Sequence, residues 1–113
     1  MIDEHRPAPD RLDAATLGAE ALGERATLVQ FSTAFCQPCR ATRAVLADVA
    51  AVVPGVTHLE IDAESRLDLV RALGVTATPT TLVLDAAGGV VRRAVGQPRR
   101  VDVIAALGAA IGD

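Results

Sequence analysis

Short apolar runs and helix-spaced apolar residues alternate along this chain, with glycine and proline standing between them. "ATLVQF" at 26–31 has the length and continuity of a buried strand. Val45, Leu46, Val49, Val52 and Val53 then recur at helical spacing until Pro54 and Gly55 interrupt them. "VTHLEI" at 56–61 reads as a second strand, with Asp62 after it as a loop or cap residue. Ser65, with Asp68 three residues on, reads as the start of a helix that Gly74 closes. After Pro79, "TTLVL", the turn "DAAGG" and "VVRRAV" make an antiparallel hairpin, and Val101, Ile104, Leu107 and Ile111 give a last helix one apolar stripe. Strand, helix, strand, helix, hairpin and helix in that order predict an α/β fold: a mixed central sheet flanked by helices on both faces.

A chain of 113 residues, half of them apolar, suits one domain with one core. Residues 1–10, "MIDEHRPAPD", read as a flexible lead-in to a domain over 11–113, in which "DAATLGAEALG" predicts a short helix from an Asp13 cap to Gly23. All 11 basic residues are arginine, against 14 acidic ones, and this acidic balance argues against a nucleic-acid partner. The N-terminus lacks the pattern of a secretory signal and no segment has the length of a membrane span, so a soluble, cytoplasmic monomer is expected.

The only two cysteines, Cys36 and Cys39, lie in "FCQPC", between the first strand and its helix. A structural zinc needs four ligands, and only His5 and His58 could complete the set, so no metal is expected. A structural disulfide across so small a loop removes little entropy from the unfolded chain, and disulfides are rare in a reducing cytoplasm. A redox pair fits better. A helix that starts at or just after Cys36 points its free amides and dipole at that sulfur and favours the thiolate, with Cys39 one turn further in and more sheltered. Cys36 is then the attacking and Cys39 the resolving cysteine, and Pro38 sits where a missing amide hydrogen costs nothing. Arg40 and Arg43 either add positive potential or are ordinary solvated helix charges.

"LVQFSTAFCQPC", "HLEID", "GVTATPT", "TLVLDAAGG" and "AVGQ", in this order over roughly residues 25–112, resemble the thioredoxin family. The resemblance implies Cys36 as nucleophile, Cys39 as resolving cysteine and Pro79 as a cis-proline facing the active site. It also implies that the Thr78 backbone pairs with an extended substrate segment. Phe35, Gln37, Pro38, Ala77 and Gly96 would line the rest of a shallow surface, although plain core packing fits Phe35 and Ala77 equally. The family's usual N-terminal edge strand is not legible in "RPAPDRLD".

The chain departs from the family at Phe35, where tryptophan is common, at Gln37, where glycine is common, and at Gln30, where a buried aspartate is common. An amide cannot act as the base that the aspartate provides. His58 stands where the family often has lysine, and its titratable ring suggests a part in moving the Cys39 proton; a strand histidine satisfied by a neighbouring group is the plainer account. The expected activity is reduction of protein disulfides, with no bound cofactor and with electrons supplied from NADPH through a flavoprotein reductase. The alternative is a binding or scaffold module whose cysteines are vestigial or redox-sensing.

Overall fold

Seven consecutive residues, Ala26–Ser32, form strand β1, and every one of them is buried. A strand buried on both sides needs partners at both edges and cover on both faces, and β1 has all four. It pairs in parallel with β2 (Val56–Asp62) and antiparallel with β3 (Thr80–Asp85), which pairs antiparallel with β4 (Val90–Val95). The order is β2-β1-β3-β4, a mixed sheet. The parallel pair requires a crossover, and helix α2 (Gln37–Val52) provides it.

The computed structural model describes residues 9–112. Residues 1–8 of the expected lead-in lie outside that range. Asp10 accepts a bond from Val90 N at 2.8 Å, and Leu12 donates to Gly88 O at 2.9 Å. Among the described residues β2 is an edge strand and no N-terminal strand covers it; Arg11 makes one antiparallel bridge to Gly89 instead.

Alternation along the strands sorts the core into two halves. Val29 and Phe31 of β1, with Leu82 and Leu84 of β3, pack against Leu69 and Leu73 of α3 (Leu67–Leu73) and against Leu17 of α1 (Ala14–Leu17). Ala26, Leu28 and Val83 pack on the other face against Leu46 and Val49 of α2 and Val103 and Leu107 of α4 (Arg100–Ile111). Gln30 continues the series of Ala26 and Leu28 and so faces α2.

Three local expectations are corrected. Helix α1 is four residues long and ends at Gly18, not Gly23: Gly18 adopts φ 76° and its amide returns to Ala14 O and Ala15 O. Asp13 does cap it, accepting from Thr16 N at 2.8 Å. Helix α3 begins after Arg66 without a side-chain cap. Ser65 lies instead in a 3₁₀ turn, Ala63–Ser65, capped by Asp62, and gives its hydroxyl to that carboxylate at 2.9 Å. In α4 the buried residues are Val103, Ala106, Leu107 and Ala110, while Val101 and Ile104 are 60% and 48% exposed. That helix is apolar nearly all round, so periodicity does not select a face; packing against α2 and the sheet does.

Candidate active site

Strand register gathers the site at one end of the sheet. Phe31 of β1 lies beside Thr80 of β3, and Thr80 beside Val95 of β4. The segments just beyond these residues therefore converge: 33–36 after β1, 76–79 before β3, and Gly96 after β4. Two bonds tie them together, one between the Thr33 and Thr78 hydroxyls at 3.2 Å and one from Gly96 N to Pro79 O at 2.9 Å. The Thr78–Pro79 peptide bond is cis. Pro79 is buried, Thr78 half-buried and Ala77 exposed.

Cys36 is the N-cap of α2, in extended backbone conformation, and its sulfur accepts the Cys39 amide at 3.2 Å. That amide is one of those a helix start leaves without a backbone partner, so a sulfur at this place meets an N–H donor and the positive end of the helix dipole. Cys36 and Cys39 are joined as a disulfide. Cys36 is half-buried and Cys39 is 1% exposed, so the first is the sulfur that another molecule can reach. Gln37 and Pro38 are exposed between them, and the Pro38 carbonyl accepts the Thr42 hydroxyl at 2.7 Å. Phe35 is 98% exposed with φ 60°, a left-handed backbone that few bulky residues adopt. Phe35 and Ala77 are thus not core residues, which removes the packing alternative for both.

Below the disulfide, Gln30 is fully buried and uses its whole amide. Its Nε2 donates to Cys39 O at 2.8 Å and to Ser32 Oγ at 2.9 Å, and its Oε1 lies 3.0 Å from His58 Nε2. A carbonyl can only accept, so the Cys39 oxygen fixes which end of the amide faces it. The Gln30 oxygen then faces His58, whose Nε2 must carry the proton; Nδ1 is the nitrogen left to titrate.

Glu60 pairs directly across from Gln30 in the β1–β2 register, and alternation puts His58, two residues earlier, on the same face. Arg43, one turn beyond Cys39 on α2, donates to both Glu60 oxygens, at 2.6 and 2.7 Å. Ser32, Thr33, Ala34, Arg43, Glu60 and Asp62 line an open cavity of about 350 Å³. Arg43 holds the Glu60 carboxyl below the usual carboxylate range, against the effect of partial burial, and the Ser32 hydroxyl assists. Burial moves His58 below its ordinary value; the Glu60 charge pushes it back up and the Arg43 charge pushes it down.

The sequence reading included Gln30 and His58 but missed Glu60, Ser32 and the bond between Arg43 and Glu60. Alternation in "HLEID" places His58 and Glu60 on one face, yet only strand register sets Glu60 opposite Gln30. Among the described residues no group of three or more His, Cys, Asp or Glu comes together as metal ligands, and no helix is long and apolar enough to cross a membrane.

The depressed His58 value has a consequence for stability. The unfolded chain takes up a proton near the ordinary value of 6.5, before the folded protein does. This contribution to stability is therefore complete above that value and is lost as pH falls from 6.5 to the lower folded value. Urea unfolding at about pH 7.5 and about pH 5.5, on either side of the ordinary histidine value, is expected to show a larger acid loss for the unmodified protein than for His58→Asn. Equal losses would show that His58 carries no such linkage.

The Thioredoxin family model matches residues 15–109. A thioredoxin of Chlamydia muridarum is 35% identical over 78 residues, 69% of this chain and 76% of that protein. A rice (Oryza sativa subsp. indica) H-type thioredoxin is 29% identical over 75 residues, 66% of this chain; the match spans 61% of the rice protein's length. Among solved structures, a mutant thioredoxin from Halobacterium salinarum superposes with a TM-score of 0.72 at 21% identity, covering 80% of this chain and 78% of that one. Spinach chloroplast thioredoxin f gives 0.68 at 23%, covering 86% and 80%. These two share the fold.

Proposed function

Because this chain belongs to the thioredoxin family, we propose that it is a thiol–disulfide oxidoreductase that reduces protein disulfides through Cys36 and Cys39. The observation that carries this reading is the pairing of a reachable sulfur at a helix N-cap with a buried one bonded to it. In the reduced form the Cys36 thiolate attacks one sulfur of a client disulfide, and the other client sulfur leaves with the electron pair and takes a proton. Cys39 gives its proton to His58 Nδ1, directly or through one water. Its thiolate attacks Cys36 Sγ, closing the internal disulfide and releasing the second client thiolate. Two electrons have then passed to the client.

Gln30 cannot take the Cys39 proton, but it anchors the backbone from which that thiol projects. Phe35, Gln37, Pro38, Ala77, Thr78 and Gly96 form the surface that receives the client, with the Thr78 backbone meeting an extended segment. Pro79 supports that surface. The dithiol is regenerated with electrons from NADPH through a flavoprotein reductase, and the cycle runs in the cytoplasm. The clients are disulfide-bearing proteins.

Absence of a carboxylate at position 30 favours one competing reading, a scaffold that binds partners without exchange. Cys39→Ser separates the two. With the resolving thiol gone, Cys36 is expected to remain joined to a disulfide client as a mixed disulfide that non-reducing gels show and dithiothreitol removes. Partners held only non-covalently would favour the scaffold.

A further inference from the structure

The acid that position 30 lacks has a counterpart one strand away. Glu60 stands directly opposite Gln30 in the β1–β2 register, on the side chains' shared face, where it is partly exposed and meets less desolvation than a carboxylate at the fully buried position 30 would. Arg43 clamps it from α2 at 2.6 and 2.7 Å. His58 lies on the same face of the same strand and reaches Cys39 through one residue: Nε2 to Gln30 Oε1 at 3.0 Å, then Gln30 Nε2 to Cys39 O at 2.8 Å.

We propose that Glu60 is a positioning residue for thiol–disulfide exchange: with Arg43 it sets the charge state of His58, and Gln30 couples that state to the Cys39 end of helix α2. This rests on the exchange function proposed above. The coupling follows from the direction of the hydrogen bonds. A proton added at Nδ1 leaves the Nε2–H bond to Gln30 intact and makes it a stronger donor, which polarises the Gln30 amide towards the Cys39 carbonyl. The ring can therefore change charge without releasing the anchor of Cys39.

The charged groups acting on His58 are few. Glu60 comes from its own strand and favours the imidazolium; Arg43 comes from α2 and opposes it. Its neighbours on β1, the register partner Leu28 and the bonded Gln30, are neutral, and the outer side of β2 is a sheet edge among the described residues. Removing one charge or the other should thus move His58 in opposite directions. A residue needed only for folding would not produce opposite signs.

The test is an NMR titration of the imidazole protons. The chain has two histidines, so His58→Ala assigns the resonance and also identifies the limb of the pH–rate profile that belongs to His58. Glu60→Gln is expected to lower the His58 midpoint, and Arg43→Gln to raise it, each by about half a pH unit for a partly solvated pair. In dithiol-driven reduction of a disulfide protein, the limb that rises with pH should shift in the same order. Midpoints that move while the rate profile stays still would overturn the proposal, as would midpoints that move in the same direction in both variants. Failure of the unmodified protein to reduce the disulfide at any pH would instead sink the underlying function, and is seen before any variant is compared.

Discussion

Cys36→Ser is expected to abolish catalysed disulfide reduction, returning the rate to that of the dithiol alone, a fall on the order of a thousandfold or more for the loss of the nucleophile. Serine keeps the N-cap, since its hydroxyl oxygen can accept the Cys39 amide as the sulfur does at 3.2 Å. The fold should therefore persist while the chemistry stops, because an alcohol is not ionised at neutral pH and cannot form a disulfide. The chain has no tryptophan, so the reaction is best followed by precipitation of a reduced disulfide protein. Reduction that survives the substitution would remove Cys36 from the reaction and with it the proposed cycle.

The chain's two phenylalanines make opposite predictions for stability. Phe31 is the largest fully buried side chain among the described residues, packed from β1 among Val29, Leu82 and the leucines of α3. Phe31→Ala removes that ring from a site held by the central strand, which can relax little, and should cost about 3–5 kcal/mol. Against a total stability of about 5–15 kcal/mol, this is a large fraction of the whole. Phe35 is 98% exposed, and Phe35→Ala should change stability by no more than about 0.5 kcal/mol. Guanidinium unfolding of both variants tests the contrast; a small loss at Phe31 would mean that this face of the sheet is not the packed core described above.

Much of the fold is legible because strands and helices announce themselves locally. β1 reads as a buried strand from its unbroken apolar run, and α2 from apolar residues three and four apart that stop at Pro54 and Gly55. The misreadings arise where local signals tie. The alanine-rich stretch 13–23 contains two glycines, and the first of them, Gly18, closes the helix. In α4 nearly every position is apolar, so Val101 and Ile104 fit a stripe as well as Val103 and Ala106 do, and only packing against α2 and the sheet chooses between them.

The candidate site divides along the same line. Cys36, Pro38 and Cys39 are neighbours in the chain, and a helix start fixes their geometry within one turn, so sequence by itself determined the reactive pair, its place at the N-cap and the sheltered position of the second sulfur. Gln30, His58, Glu60 and Arg43 come from three elements. Their meeting depends on the register of β1 with β2 and on how α2 lies across that pair, and a one-residue slip in register would turn His58 and Glu60 to the opposite face. Tertiary structure alone decided that Glu60 stands opposite Gln30 with Arg43 bonded to it, because contacts between distant segments are set by packing over the whole sheet rather than by any local pattern.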